Sequence, residues 1–233
     1  MDNSTRLQYL EAMGIDVWVS RKQAAVENEN NQVVADNEPI STEDIDNTFT
    51  LGWDKLRQQV TDCNKCDLSK SRKQIVFGEG DVNAEWMLVG EAPNQDEDSV
   101  GKPFVVQSGF LLTEMLRAMG VQRESAYITN IVKCSPPDNK DPKVNELKSC
   151  DDYLKRQIEL VKPKVILAVG RVAAHALLGT KQAISELRGT VHYMDNIPVV
   201  VVYHPAYLLR SLLEKRKAWQ DLQLALKTYQ EKQ

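Results

Sequence analysis

The sequence predicts an α/β fold in which a central sheet of four parallel strands lies between helices, in three layers. Two observations predict it. Four apolar runs of strand length carry large apolar residues at consecutive positions, as strands buried on both faces do. Segments with apolar residues at helical spacing alternate with these runs, and such alternation is typical of a parallel sheet covered by helices on both faces.

The first half of the predicted fold supplies two helices and two strands. A helix is expected around Trp53–Val60, before the first strand at Trp86–Val89. Leu111–Met119 is expected to form an amphipathic helix, because its Leu and Met residues recur at helical spacing. The second strand, Ala126–Val132, is followed by a loop with two adjacent prolines.

The second half supplies the other two strands. Lys143–Val161 is expected to be a long helix with one apolar stripe, on which Cys150 lies. The third strand at Val165–Val169, a helix at Val172–Leu178 and the fourth strand at Val199–Tyr203 follow, and the chain ends in a helix.

The N-terminal part differs in composition from this domain, which is expected over residues 50–233. Residues 1–22 predict a short amphipathic peptide with apolar residues at roughly helical spacing, namely Leu7, Leu10, Met13 and Ile15. Residues 23–49 contain no basic residue and are rich in Asn, Asp and Glu, so they cannot bury much apolar surface. This stretch is predicted to be a disordered acidic linker.

The composition is that of a soluble globular protein, with 42% apolar and 27% charged residues among 233. No apolar run has membrane-spanning length and no secretory signal is recognised, so a cytoplasmic monomer without membrane attachment is expected. The first 50 residues carry three basic and ten acidic residues, a net charge of −7, and the remainder carries 26 and 23, a net charge of +3. The acidity therefore does not exclude a domain that binds phosphates.

Four cysteines stand at positions 63, 66, 134 and 150. Without an export signal disulfides are disfavoured, whereas four unrelated buried thiols remain an alternative. The two-residue spacing of Cys63 and Cys66 favours a metal or cluster site formed by all four. Zinc sites usually hold their ligands in close pairs, so the 15 residues between Cys134 and Cys150 favour an iron–sulfur cluster, with zinc still open.

Three polar motifs directly follow predicted strands. Gly90-Glu91 comes after the first strand, Asn130 ends the second, and His204 follows the fourth. Ligands of open parallel sheets bind beyond the carboxyl ends of the strands. The three loops are therefore expected to line one pocket.

These motifs resemble those of the family 4 uracil-DNA glycosylases, over about residues 51–229. The matching stretches, in the family's order, are CNKC from Cys63, GEAPNQDEDSVGKPFV from Gly90, TNIVKCSPPDNKDP from Thr129, Cys150, and HPAYLLR from His204. The resemblance implies a DNA repair enzyme that hydrolyses the N-glycosidic bond of uracil and leaves an abasic site. It also implies a [4Fe–4S] cluster on the four cysteines and a uracil pocket at the strand ends.

The resemblance further implies how the flipped base is recognised. Asn130 would bond the uracil edge, Phe104 would stack on the base, and the backbone around Ala92 would face it. Glu97 would reject thymine by crowding the position of its methyl group. For the reaction, His204 would stabilise the departing uracil anion and Glu91 would orient or activate the attacking water.

The segment after His204 is expected to contact DNA. Its apolar side chains would wedge into the duplex and its arginine would meet a phosphate, the alternative being the first turn of an amphipathic helix. The residues are Tyr207, Leu208, Leu209 and Arg210.

Two stretches depart from the family's usual pattern. Asn94 replaces the second glycine of GEAPG, and the turn is expected to persist because asparagine tolerates positive φ better than most residues. VQSGF, from Val106 to Phe110, replaces the more usual GRAGQ, and the lost arginine is expected to weaken a loop or phosphate contact.

The sequence is also compatible with two rival functions. A degenerate family member would bind uracil-containing or single-stranded DNA without turnover, but retention of Glu91, Asn130 and His204 disfavours it. A replication accessory protein is the second rival, although no paired metal-binding carboxylates support polymerase chemistry. Residues 6–21 faintly resemble the clamp-loader-binding peptide of the bacterial polymerase III psi subunit, which makes a replication protein a candidate partner of the N-terminal peptide.

Overall fold

The computed structural model describes residues 42–232, and within that range the strands form one mixed sheet of six, ordered β1-β3-β2-β4-β6-β5. The strands are β1 (Glu79–Gly80), β2 (Trp86–Gly90), β3 (Ala126–Asn130), β4 (Val165–Val169), β5 (Val191–Met194) and β6 (Ile197–Val202). The neighbours β3-β2-β4-β6 pair in parallel, whereas β1 and β5 pair antiparallel at the two edges. The sheet therefore has six strands and mixed direction, not four parallel strands alone.

The two edge strands lack the features by which the central strands were predicted. β1 has two residues, too few for a hydrophobic pattern. β5 is only partly buried, and it joins β6 through a two-residue turn at Asp195-Asn196, in which Asp195 has φ +52°. Such turns favour Asn and Asp because these residues tolerate a left-handed backbone.

Five of the nine helices in the described range lie close to the predicted segments, and four short helices were not predicted. These nine are α1 (Thr42–Thr61), α2 (Leu68–Ser71), α3 (Gln95–Val100), α4 (Val106–Ala118), α5 (Val144–Val161), α6 (Arg171–Leu178), α7 (Ile184–Leu187), α8 (Pro205–Arg210) and α9 (Lys215–Gln230). Short 3₁₀ turns occupy Arg123–Ser125, Pro137–Asn139 and Leu212–Glu214.

The helix α1 begins within the predicted linker, so its first eight residues, 42–49, are helical. The composition argument missed this because adding a residue to an existing helix costs far less than nucleating one. Trp53, Leu56 and Val60 anchor the helix in the core, and the helix extends from them towards the N-terminus. The predicted peptide at 1–22 and the rest of the linker lie outside the described residues.

Each face of the sheet is covered by its own hydrophobic core. Met87 and Val89 of β2 belong to the core beneath α1 and α5, whereas Trp86 and Leu88 belong to the core beneath α4 and α9. Successive strand residues point to opposite faces, so one fully buried strand supplies both cores. Burying each large apolar side chain contributes roughly 1.5–3 kcal/mol, which fixes the strand ends that carry the site.

Among the helices of residues 42–232, none combines the length and apolar character needed to cross a bilayer.

Candidate active site

A cavity of about 390 Å³ lies at the carboxyl ends of the central strands. Its size is within the range of sites for small organic ligands. The six pocket residues expected from the sequence all line it, together with two of the expected DNA contacts; they are Glu91, Ala92, Glu97, Phe104, Asn130, His204, Tyr207 and Arg210. The parallel register of β2 with β3 places Gly90 beside Asn130 and so brings the first two motifs together.

Asn130 presents an unpaired amide to this cavity. The residue is 1% exposed, and its Nδ2 has no hydrogen-bond partner among the described residues. A buried donor without a partner costs about 1–3 kcal/mol, so the group is suited to a ligand that supplies the acceptor. A Cβ on Gly90 would lie 2.3 Å from Asn130 Oδ1 and 2.6 Å from Phe104 Cζ, so only glycine leaves both side chains in place.

Phe104 is held in an uncommon backbone conformation at the cavity wall. Its φ is +50°, and the residue is buried. Its N–H donates to Glu97 Oε1 at 2.8 Å, and its carbonyl accepts from Arg123 Nη2 at 3.1 Å. The ring stacks against His204 with centroids 5.5 Å apart. The aromatic face is therefore fixed before any base arrives.

Glu97 and Asn94 form a reciprocal cap at the start of α3. Asn94 Oδ1 accepts from the Glu97 N–H at 2.9 Å, and Glu97 Oε2 accepts from the Asn94 N–H at 3.1 Å. Asn94 has φ −88° and ψ −178°, so the expected need for a positive φ was wrong. The asparagine is accommodated because it is an N-cap, where its side-chain oxygen is favoured. Burial raises the pKa of Glu97 to about 7.

His204 is a neutral imidazole at the N-cap of α8. Burial, and secondarily the charge of Arg210, lower the pKa of His204 to about 4. Its Nδ1 accepts from the Ala206 N–H at 3.2 Å, so the ring proton resides on Nε2. The geometry thus supplies a neutral N–H donor to the cavity, a group suited to a developing anion.

Glu91 lies against the N-terminus of α6. Its Oε1 accepts from the Val172 N–H at 3.0 Å, and a Cβ on Gly170 would come within 2.5 Å of that oxygen. Burial raises the pKa of Glu91, while the Val172 hydrogen bond acts in the opposite direction. The carboxylate is anchored through one oxygen.

Helix α8 corrects one expected DNA contact. Leu208 is 1% exposed and packs in the core beneath α4 and α9, so it cannot serve as a wedge in this conformation. The cause is the helical period, which turns every third or fourth side chain inward. Tyr207 and Leu209 remain partly exposed, and the following 3₁₀ turn exposes Leu212 and, at 92%, Leu213.

The four cysteines line a smaller cavity, which Lys133 also lines, three residues along the chain from Asn130. Cys134 and Cys150 are buried, Cys63 and Cys66 are half-buried, and all four are free thiols. In the part of the chain that the structure describes, no three His, Cys, Asp or Glu side chains are grouped closely enough to hold a single metal ion. Four thiols that line one cavity are nevertheless the donor set by which a [4Fe–4S] cluster or a structural zinc ion is held.

The surroundings of these thiols are partly basic. Arg72 Nη1 donates to Cys134 Sγ at 3.2 Å. Burial raises the pKa of Cys150 to about 11, against the lowering effect of the Lys133 backbone amide and side chain. Thiolate ligands are stabilised by nearby cations, so both basic residues favour the form that binds metal.

Sequence reasoning missed two residues that support the site. Lys133 is a fully buried lysine that lines the cavity of the four cysteines. Arg123 holds the loop of Phe104 through the Pro103 and Phe104 carbonyls and pairs with Glu79 at 2.6 Å. A lysine between Val132 and Cys134, in an otherwise apolar run, was a usable signal for the first. The second depends on contacts distant in sequence, which no local pattern reveals.

The comparisons with known proteins agree with this geometry. A family model described as the uracil DNA glycosylase superfamily matches residues 77–223. The type-4 uracil-DNA glycosylase of Archaeoglobus fulgidus is 43% identical over 67% of this chain and 82% of its own length. Proteins of the same name from Thermotoga maritima (40% identical, over 67% and 82%) and Pyrobaculum aerophilum (41%, over 72% and 90%) are similarly related.

The matched region contains the strands, the cavity and two of the cysteines, Cys134 and Cys150. The chain therefore belongs to the uracil-DNA glycosylase superfamily and, within it, to the type-4 uracil-DNA glycosylases.

Proposed function

We propose that this protein removes uracil from DNA by hydrolysing its N-glycosidic bond, leaving an abasic site and an intact sugar–phosphate backbone. The observation that carries the proposal is the buried, unpaired Asn130 amide in a cavity walled by Phe104 and His204. An amide offers both a donor and an acceptor, which uracil's edge matches with a carbonyl and an N–H. A base inside a duplex cannot reach this cavity, so it must be flipped out.

The cavity residues divide the recognition of the base. Asn130 bonds the edge of uracil, Phe104 provides a stacking surface, and the backbone at Ala92 faces the base. Glu97 excludes the methyl group of thymine. The capping bonds from Asn94 to Glu97 and the bond from Glu97 to the Phe104 N–H support these roles, because they fix the carboxylate and the ring relative to each other.

The reaction needs stabilisation of two opposite charges. As the bond breaks, negative charge develops on the uracil oxygens and positive charge on the sugar. His204 donates its Nε2–H to the uracil oxygen, and a neutral donor suits this task because it need not lose a proton to the leaving group. Glu91 orients the attacking water and faces the positively charged sugar with its partly buried carboxylate.

The DNA surface surrounds the mouth of the cavity. Arg210 binds a phosphate, while Tyr207 and Leu209 contact the duplex beside the flipped base. Leu212 and Leu213 extend the exposed apolar surface along the chain from these two residues.

The four cysteines hold a [4Fe–4S] cluster, which would connect α5 to the segments that carry Cys63, Cys66 and Cys134. Their placement around one cavity supports this assignment, and the cluster's contribution is structural because no cysteine lines the 390 Å³ cavity. Binding thiolates from three chain segments constrains them as a cross-link does.

The test is an excision assay on a labelled oligonucleotide with one uracil, followed by alkali, which breaks the strand at abasic sites. Cleavage at uracil only after alkali is expected, with none on the matched thymine oligonucleotide. A protein that retains the uracil oligonucleotide but yields no abasic sites would instead be the non-catalytic binder. Cleavage without alkali would contradict simple hydrolysis of the glycosidic bond.

A further inference from the structure

Lys133 has a buried amino group that borders the cysteine cavity and bonds the backbone of Asn130. The residue is 1% exposed, and its Nζ donates to Thr129 Oγ1 at 2.7 Å, the Asn130 carbonyl at 2.7 Å and Gln157 Oε1 at 2.6 Å. All three donor positions of the ammonium are therefore used. One of them ends on the backbone of the residue whose side chain has the unpaired amide.

The three acceptors are neutral, so they do not balance the charge. Within residues 52–232 no carboxylate lies within ion-pair distance of Lys133. A buried ammonium without an anion is strongly disfavoured. Lys133 also lines the small cavity of the four cysteines, whose thiols are the acidic groups at hand. Metal binding deprotonates such thiols and supplies the missing negative charge.

We infer that Lys133 is a positioning residue that links the two cavities: its ammonium offsets the negative charge of the cysteine-bound cluster and holds the Asn130 carbonyl. The placement of the uracil-binding amide then depends on the group in the cysteine cavity. This inference rests on the proposed function and on the proposed cluster.

A merely structural lysine would tie β3 to Gln157 of α5 and do nothing else. Both roles predict some loss of stability when Lys133 is replaced. Only the linking role predicts that the reduction potential of the cluster and the affinity for uracil change as well, because a nearby buried charge acts on the cluster through a medium of low dielectric constant.

The experiment uses the full chain with its iron and two substitutions. Lys133→Met removes the charge and the hydrogen bonds at similar length. Lys133→Gln removes the charge but keeps an N–H donor for the Asn130 carbonyl. Lys65→Met is the matched control, because Lys65 neighbours Cys66 but is exposed, so solvent screens its charge. Iron content, the reduction potential, the inhibition constant for free uracil, and kcat and KM on uracil DNA are measured.

Both Lys133 variants are expected to lower the reduction potential more than Lys65→Met does, since loss of a buried positive charge disfavours addition of an electron. Lys133→Met should raise the uracil inhibition constant about tenfold, the usual scale for a lost hydrogen bond to a charged group. Lys133→Gln should restore part of that affinity. A potential shift equal to that of Lys65→Met, or an unchanged uracil constant in iron-loaded Lys133→Met, would overturn the inference.

Thr129→Val decides the matter if both Lys133 variants lose their iron. It leaves the charge in place but removes one of the three acceptors that orient the ammonium. The expected result is the parent's reduction potential with a uracil constant raised about threefold. Parent affinity for uracil in this variant would count against the inference. A parent protein that neither binds nor excises uracil would contradict the proposed function itself, a separate outcome.

Discussion

The 390 Å³ cavity of Asn130 and His204 (the uracil cavity) and the cavity of the four cysteines (the cysteine cavity) both use residues of the Asn130–Cys134 segment. They differ in how their polar groups are satisfied. In the uracil cavity polar groups are left incomplete: Asn130 Nδ2 lacks a partner, and burial raises the pKa of Glu97 and lowers that of His204. In the cysteine cavity the lining residues come from α1, the α1–α2 connection, α2 and the residue after it, the loop after β3, and α5. The uracil cavity therefore contains polar groups that a ligand can bind, whereas the cysteine cavity joins distant parts of the chain.

The difference predicts how each region responds to substitution. Truncating a polar side chain of the uracil cavity should lower activity and leave the free energy of unfolding unchanged or higher. Binding sites often contain groups that favour function at the expense of stability. Removing a group from the cysteine cavity should cost stability first, because this cavity joins segments that are distant in the sequence.

The largest effect is expected from Cys150→Ser. Cys150 is buried on α5, belongs to the core beneath α1 and α5, and lines the cavity with the other three cysteines. If the proposed cluster is present, we expect loss of its iron and of at least about 4 kcal/mol of unfolding free energy, because loss of a structural metal is among the few changes with effects of this size. Iron analysis and urea denaturation measure both quantities.

Ser149→Ala is the matched control for that change. Ser149 is the preceding residue of α5, lines the same cavity, and bonds the Asn145 carbonyl at 2.8 Å. It should retain its iron and lose less than about 1 kcal/mol. Equal loss in the two variants would show that α5 is sensitive at any position, not that Cys150 holds a cluster.

Asn130→Ala tests the other half of the comparison. The substitution removes the buried unpaired donor, so the unfolding free energy should be unchanged or raised, while kcat/KM on uracil DNA falls by roughly 10²–10³. Single-turnover excision and urea denaturation are measured on the same preparation. The exposed Asn83→Ala should keep the parent's rate. A variant that is strongly destabilised yet still active would reverse the distinction between the two cavities.

The pH dependence of stability gives a third test, at His204. The folded pKa of about 4 lies below the ordinary value near 6.5, so between these values the unfolded chain binds a proton that the folded protein does not. This contribution to stability is complete above pH 6.5 and is lost as the pH falls to 4, by about 3 kcal/mol. His204→Gln should lose correspondingly less between pH 7.5 and pH 4 in urea titrations. Parallel pH profiles would refute burial of a neutral imidazole.

A smaller effect is expected at Val106, two residues after Phe104 of the uracil cavity, where the backbone is strained. This β-branched residue has φ +51° at the first position of α4, a conformation that costs roughly 1–2 kcal/mol, and the family usually has glycine there. Val106→Gly should therefore raise the unfolding free energy by about 1 kcal/mol. Val144, also exposed and first in its helix, has no positive φ, and Val144→Gly should destabilise instead. Thermal unfolding of both variants tests whether the unfolding free energy rises in Val106→Gly and falls in Val144→Gly.

The fold and the site were predictable to different depths. Runs of apolar residues predicted the four central strands. The rule that ligands bind at the carboxyl ends of parallel strands predicted that Glu91, Asn130 and His204 lie in one pocket. The edge strands were missed because a two-residue strand and a half-exposed strand carry little hydrophobic pattern. Leu208 was assigned to DNA because a motif does not state which side of a helix faces the core.

The supporting network was beyond any local pattern. Asn94 looked like a glycine substitute that needs a positive φ, but it is an N-cap, and the positive φ falls instead on Phe104 and Val106. The role of Arg123 follows from contacts made between distant parts of the chain. Such contacts join residues that are brought together only when the sheet forms, and local residue spacing and composition therefore do not predict them.

The smallest effect is expected from residues 1–41, which precede the described residues. Residues 1–41 carry three basic and seven acidic residues, a net charge of −4, and the described fold begins with α1 at Thr42. Deleting them should change excision of short oligonucleotides less than twofold at physiological salt, with a slight increase at low salt, where repulsion of phosphates is least screened. A full-length variant with those seven acidic residues changed to Asn or Gln separates charge from length and should show the same low-salt increase.

If residues 1–22 recruit a replication protein, the deletion also abolishes capture of that protein. A segment without function would give the same kinetics, and the full-length chain would capture no partner. A tenfold loss of excision in the deletion alone would show that the segment completes the folded domain.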